Sequence, residues 1–193
     1  MGRHLTTDLL RLAYREGYFP MPEPGSQEIL WYRPDPRAII PLASFSPSRS
    51  LKRSMKNRGY RCSIDQDFCG VIAGCASRSE TWINEEFHRA YTQLHREGDA
   101  HSVEVWLGDR LVGGVYGVAV NGAFFAESKF HTERDASKVA LAFLIEHLLQ
   151  RQMSLLEVQF LTPHLKRLGA VEVSSAEYDV LLLMALRSSA RFL

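Results

Sequence analysis

The sequence predicts an α/β (α+β) fold: a mixed, mainly antiparallel sheet with flanking helices, behind a small N-terminal subdomain. Three observations predict it. In "SVEVWLGDRLVGGVYGVAVNGAFFAESKF", apolar runs surround the dipeptides "GD" and "NG", which read as hairpin turns joining three strands. "DASKVALAFLIEHLLQ" follows with helical periodicity. Then come a strand "LLEVQF", a helix "TPHLKRLG", a strand "VEVS" and a last helix from about Ser175. That order stacks helices on a mixed sheet.

The elements follow in chain order. Residues 7–16 predict a short helix stopped by Gly17. "GYFPMPEPGSQ", rich in proline and glycine, reads as irregular. "ILWYRPDPRAIIPL" reads as two extended pieces around a proline-containing turn. The helix "SRSLKRSMKNRG", the strand "YRCSI" and the short helix "DFCGVIAGCAS" come next. Residues 1–78 are expected to form the subdomain and residues 79–193 the core domain, with the break in the polar stretch Ser77 to Glu80. "NEEFHRAYTQLHREG" predicts a helix with Asn84 as N-cap, Phe87, Tyr91 and Leu94 facing inward, and Gly98 as its stop. Trp106 alternates with Val103 and Val105 and reads as core. In the long helix, Val139, Ala140, Phe143, Leu144 and His147 share a stripe. In "LLEVQF", Leu156, Val158 and Phe160 share one face of the strand, and Glu157 and Gln159 the other.

Composition narrows the function classes. The chain has 193 residues, 46% hydrophobic and 23% charged, ample for a sizeable core. Net charge is +1, so any basic surface is local. Three cysteines, odd in number and wrongly spaced for a zinc knuckle, together with no signal peptide, lead us to expect a reducing cytoplasm. No apolar run reaches membrane-spanning length, and "LLLMAL" reads as part of a buried helix. His101 and His164 are not spaced with other ligands, so no metal is expected. Gly113, Gly114 and Gly117 read as sites of bends or close backbone approach.

Several longer stretches carry a resemblance. They are "GYFPM", "WYRPDPRAIIPL", "TWI", "HSVEVWLGDRLVGGVYGVAV", "FAESKF" with "ASKVAL", and "LLEVQFLTPHLKRLGA". From about Gly17 to about Tyr178 the chain resembles the leucyl/phenylalanyl-tRNA–protein transferases, bacterial enzymes that add an amino acid to protein N-termini. The strand meander, long helix and following strand are similar to the core of the acetyltransferase (GNAT) superfamily. The resemblance implies a GNAT-like core behind a small N-terminal domain. It implies an aminoacyltransferase that moves Leu or Phe, and sometimes Met, from aminoacyl-tRNA to the α-amine of proteins beginning with Arg or Lys. The new N-terminus marks those proteins for degradation.

The chemistry asks little of a cofactor, and none is expected. An aminoacyl ester is already activated, and the attacking α-amine, pKa roughly 7.7–8.0, is partly neutral at working pH. Alignment supplies most of the rate, helped by a polar group that holds the amine's N–H or takes its proton. By resemblance, Gln159 contacts the amine and Glu157 polarises it, Glu157 standing where the family carries aspartate. The alternative is a structural pair, with Glu157 bridged to an Arg or Lys and Gln159 bonded to a loop. Glu127 in "AESKF" is the resemblance's acceptor-pocket carboxylate, suited to an incoming Arg or Lys. Lys129, where a hydrophobic residue is usual, shares its strand face. Trp31 and Trp82 fall at the family's tryptophan positions and would stack on the terminal adenine. Tyr116, Phe124, Phe125, Val118 and Phe160 are candidate lining for the donor side chain.

"RSLKRSMKNRGYR" holds Arg49, Lys52, Arg53, Lys56, Arg58 and Arg61, with no acid until Asp65. On a helix the first four share one side, which suits an RNA phosphate backbone or simply a solvated face. Two other activities compete. One is an acyl-CoA-dependent acetyltransferase, whose pyrophosphate loop would fall at "RDASKV", with Val139 where backbone should approach phosphate. The other is a non-catalytic reader of tRNA or basic N-termini.

Overall fold

The computed structural model describes residues 5–23, 26, 28–77 and 81–193. Helix α1 (Thr7–Arg15) starts at Thr6, whose hydroxyl accepts the Leu9 N–H at 3.3 Å, and stops before Gly17 at φ 76°. Strands β1 (Phe19–Pro22) and β2 (Ile29–Tyr32) pair antiparallel as a separate ribbon. Four of the eleven residues expected to be irregular therefore form a strand. A two-stranded ribbon has only edges, and Pro20 and Pro22, at alternate positions, need donate nothing to the partner.

Strand β3 (Arg37–Ile39) precedes α2 (Arg49–Asn57), β4 (Tyr60–Ile64) and α3 (Phe68–Ala76). Helix α4 (Glu85–Arg96) is capped by Asn84, which accepts the Phe87 N–H at 3.1 Å. The meander follows as β5 (Ala100–Leu107), β6 (Arg110–Val120) and β7 (Ala123–His131). Then come α5 (Ala136–Gln150), β8 (Leu155–Gln159), α6 (Pro163–Arg167), β9 (Val171–Val173) and α7 (Ser175–Arg187).

Seven strands form one sheet, ordered β4-β5-β6-β7-β8-β3-β9. Every neighbouring pair is antiparallel except β7 and β8, which run parallel and are joined by α5. This is the GNAT-like arrangement. Strands β3 and β4 precede position 78 yet belong to the same sheet. The expected break there therefore does not divide the sheet, and residues 78–80 of that stretch lie outside the described residues.

Two cores cover the two faces of the sheet. Leu10, Tyr14, Phe87, Tyr91, Phe125 and Tyr178 pack on one side, and Val105, Phe124, Leu144, Ile145, Leu156 and Val158 on the other. Helix α5 is buried nearly all round: Leu141, Ala142 and Leu148 are inside with Val139, Ala140 and Leu144, while Phe143 and His147 are half-buried. A single stripe underestimates it, because α5 is held between the sheet and the α2 side of the molecule. Trp106 is half-buried rather than core. The register shifts at Val105/Trp106, and its indole donates to Ser63 Oγ at 2.8 Å.

The register also shifts between Tyr116 and Gly117. A Cβ on Gly117 would lie 2.1 Å from the Phe125 carbonyl oxygen and 2.6 Å from the Phe124 ring. Both neighbours are fixed in the sheet, so Gly117→Ala is expected to cost about 1–3 kcal/mol or more. Urea unfolding of the two proteins measures it; equal midpoints would mean the sheet opens freely here.

Candidate active site

Parallel pairing of β7 and β8 covers three rungs, ending at Phe125 with Glu157. Beyond them the strands part. Strand β7 runs on to His131, while β8 ends at Gln159, whose φ is 64°. That left-handed residue also breaks the alternation expected of "LLEVQF". Phe160 turns away from the side of Leu156 and Val158 and meets the Phe19 ring edge-on at 5.7 Å.

A cavity of about 210 Å³ fills the parting. Its apolar wall includes Val115, Leu141, Val158 and Leu165, and Trp82 and Phe160 also line it. Its polar wall is Glu127, Ser128, Lys129, Gln159 and Thr162. The register shift at Tyr116/Gly117 leaves Glu127 as the extra residue of β7, so the expected shared face fails: Glu127 turns to Tyr91 on one side of the sheet, and Lys129 sits opposite Val115 on the other.

Gln159 is held at both ends. Its side-chain Nε2 donates to Glu127 Oε1 at 3.0 Å, and its backbone N–H donates to Glu157 Oε1. With one amide N–H turned to Glu127, the carboxamide oxygen is the atom of Gln159 that can accept a ligand N–H. Behind Glu127, Tyr91 donates to Oε2 at 3.0 Å. Tyr91 and Tyr14 share a 2.5 Å contact between hydroxyls. When Glu127 is ionised, Tyr91's proton points to the carboxylate and Tyr14 is the donor of that bond.

Burial raises the Glu127 carboxyl to about 8, with the Glu157 charge adding and the Tyr14 and Tyr91 hydroxyls opposing. A carboxyl raised above its unfolded value favours folding at low pH. That stability is complete below about pH 4.3 and is lost as pH climbs through about 8. Glu127→Gln should therefore raise the thermal midpoint relative to the parent at pH 9 but not at pH 4. The same difference at both pH values would show that Glu127 does not titrate on unfolding.

Glu157 itself is fully buried. Its Oε1 accepts Arg37 Nε at 3.0 Å. Arg37, also buried, donates its Nη2 to the Gly17 carbonyl at 2.9 Å and lies over the Phe19 and Tyr178 rings at 5.0 and 4.5 Å. Burial pushes the Glu157 carboxyl up and Arg37 pulls against it. The expectation that Glu157 meets the amine is corrected: it is not on the cavity wall and reaches the site through the Gln159 backbone. The ion-pair half of the alternative reading describes Glu157. Its other half fails for Gln159, which bonds Glu127 on the cavity wall rather than a loop.

The aromatic candidates divide. Trp82 and Phe160 line the cavity. Trp31 lies half-buried on β2, outside the cavity lining. Tyr116 is buried between Phe68 and Tyr91, Phe125 against Tyr14, and Phe124 against Phe192. Those three, and the buried Val118, are core and do not touch the cavity. The reason is that β6 and β7 are interior strands buried on both faces. Residues that the sequence reading missed are Arg37, Tyr14 and Tyr91 behind the site, and Val115, Leu141, Thr162 and Leu165 around it. An arginine before "AII" in a buried extended piece is the one signal that could have found Arg37.

Arg49, Lys52, Arg53, Lys56, Arg58 and Arg61 are all exposed. Leu51 and Ser54 are buried beneath the first four, so the basic stripe faces outward. Arg61 lies over the Trp106 ring at 5.3 Å.

At the α5 N-terminus, where a CoA pyrophosphate would sit, the Asp135 carboxylate accepts from Ser54 at 2.7 Å and Lys138 at 2.8 Å. Asp65, His95 and His101 come together from three elements, which their spacing concealed. One nitrogen of each histidine is engaged: His101 Nδ1 bonds Asp65 at 2.6 Å, and His95 Nδ1 bonds the Ala100 carbonyl at 2.8 Å. That cluster reads as a hydrogen-bonded clamp.

Comparison with known proteins agrees with the geometry. The family model described as leucyl/phenylalanyl-tRNA protein transferase matches residues 39–183, and the model of that family's N-terminal domain matches residues 3–35. A leucyl/phenylalanyl-tRNA–protein transferase from Roseobacter denitrificans is 50% identical over 190 residues, 98% of this chain and 90% of that protein. One from Herpetosiphon aurantiacus is 47% identical over 193 residues, all of both chains. Among solved structures, L-PGS from Bacillus licheniformis shares the fold at a TM-score of 0.52 and 10% identity, covering 93% of this chain and 69% of that one. With these matches and a splayed-strand cavity walled by its Glu and Gln side chains, the chain belongs to the leucyl/phenylalanyl-tRNA–protein transferase family and is an aminoacyltransferase.

Proposed function

We propose that the cavity takes the side chain of a leucyl or phenylalanyl group esterified to tRNA, and that the acceptor amine attacks beside Gln159. The acceptors are proteins beginning with Arg or Lys. The observation that carries this is Gln159, fixed by two buried carboxylates on the wall of a cavity of about 210 Å³.

The roles follow from the contacts. The apolar wall of Val115, Leu141, Val158 and Leu165 takes the donor side chain. Such a pocket separates neighbours differing by one methylene only about 10–200-fold, so Met is a third donor. The Gln159 carboxamide oxygen accepts an N–H of the attacking amine and aims its lone pair. The amine nitrogen bonds to the ester carbonyl carbon, the carbon–oxygen bond to ribose breaks, and the amine's proton ends on the ribose oxygen. Glu127 anchors the first side chain of the acceptor, whose positive charge draws the proton off a carboxyl that burial holds near 8. Glu157 and Arg37 are positioning residues for the Gln159 backbone. Trp82 stacks on the terminal adenine, and the α2 stripe holds tRNA phosphates.

Among the described residues no helix is long and apolar enough to cross a membrane. We place the reaction in the cytoplasm, with degradation of the product as its consequence. Purified protein, charged leucine tRNA and a peptide starting with Arg test the reading together. Leucine is expected on that peptide. A protein that binds the tRNA but leaves the peptide unmodified would be a reader, and tight acetyl-CoA binding would favour an acetyltransferase.

A further inference from the structure

Two hollows beside the cavity, of about 380 and 230 Å³, adjoin each other, with Ser50 and Asp135 in the walls of both. Lys138, His164 and Arg167 line the larger; Arg53, Arg58 and Arg134 line the smaller. Helix α6 is the ridge between the larger hollow and the cavity. His164, Arg167 and Leu168 face the hollow, while Leu165 and the capping Thr162 face the cavity. Basic side chains thus run from the α2 stripe to the cavity rim, where Lys129 stands.

The charges converge. After burial, the influences that hold His164 below the usual imidazole range are Lys129, Lys138, Arg167 and His131. The carboxylate in the lining, Asp135, is engaged by Lys138, by Ser54, and by Arg134 at 3.8 Å. The guanidinium-bearing residues Arg53, Arg58, Arg134 and Arg167 are exposed. A row of cations leading to an aminoacyl cavity fits a polyanion with evenly spaced charges.

We propose that this groove, between α2, the start of α5 and α6, seats the phosphodiester backbone of the single-stranded 3′ end of the tRNA. It extends beyond the outward α2 stripe, with which it shares Arg53 and Arg58, and it rests on the transferase reading above. The strand is single here because a duplex is too broad to bring its last ribose to the rim of so small a cavity. The α2 stripe, farther from the cavity, is left for the double-stranded stem.

The test uses the full-length protein and two RNAs: uncharged leucine tRNA, and the same tRNA lacking its unpaired 3′-terminal nucleotides. A Lys138→Gln, His164→Gln, Arg167→Gln variant is expected to bind intact tRNA at least about 10-fold more weakly. Its log–log salt slope should fall by about 1.4, roughly 0.7 for each of the two cations removed, Lys138 and Arg167. On the shortened tRNA it should match the parent. Arg53→Ala with Lys56→Ala should weaken both RNAs. Arg167→Glu, a single change at an exposed position, should show the same intact-selective loss even if the triple variant is unstable. Equal losses on both RNAs, or none on either, overturn the groove. A raised KM for an acidic acceptor peptide with tRNA affinity intact also overturns it, assigning the groove to protein. If the parent transfers leucine while the variants bind normally, only the groove falls; if the parent binds neither RNA, the transferase reading falls with it.

Discussion

Replacing Gln159 with glycine is expected to slow leucyl transfer by about 10²- to 10⁴-fold while leaving tRNA affinity nearly unchanged. Glycine is the informative choice because Gln159 holds φ at 64°, which glycine adopts without strain. The backbone N–H to Glu157 survives, and only the carboxamide is lost. Gln159→Ala should lose as much activity and, in addition, some stability from the left-handed backbone. Single-turnover transfer at saturating Leu-tRNA measures the chemical step, and filter binding measures affinity. A glycine variant that transfers at the parental rate would remove Gln159 from the reaction. One that loses tRNA affinity in step with rate would make it a binding residue.

The second large effect lies beneath the site. Arg37→Ala leaves Glu157 fully buried without its cation, which typically costs about 3–5 kcal/mol. Glu157→Ala does the same to Arg37 and also frees the Gln159 N–H. The double variant Arg37→Met, Glu157→Leu should be less destabilised than either alanine variant, because no buried charge remains. Urea unfolding of the four proteins gives the comparison. Single alanine variants within about 0.5 kcal/mol of the parent would contradict a sealed pair. The double variant should still transfer slowly, since the Gln159 backbone then has no carboxylate to hold it.

What was legible in the sequence had local causes. Turn dipeptides between apolar runs marked the meander, Asn84 marked the start of α4, and a short apolar run marked β8. Strand β1 was hidden because its prolines argue against pairing, and only a two-stranded ribbon tolerates them there. The polar pair on β8 was visible, but the depth of each member was not. Alternation says which residues share a face, not whether that face meets water, and β8 is covered on both sides. Arg37 lies 120 residues from Glu157, so no spacing rule connects them. The same blindness made Phe124 and Phe125 look like pocket residues. Phe160 and Trp82 reach the cavity because they sit just past β8 and just before α4, where the layers open.

Glu127 shows how much the third dimension adds. The sequence marked a carboxylate suited to a basic acceptor. The fold adds Tyr91 and Tyr14 behind it and Gln159 beside it, a chain of hydrogen bonds that spans α1, α4, β7 and β8.

The most direct measurement is a structure of the protein with a non-hydrolysable phenylalanyl-adenosine amide. The account predicts the phenyl ring between Val115, Leu141 and Leu165, with an N–H of the bound group or of an added acceptor amine about 3 Å from the Gln159 carboxamide oxygen. A phenyl ring seated outside this cavity, or a reacting carbonyl that Gln159 cannot reach, would contradict it.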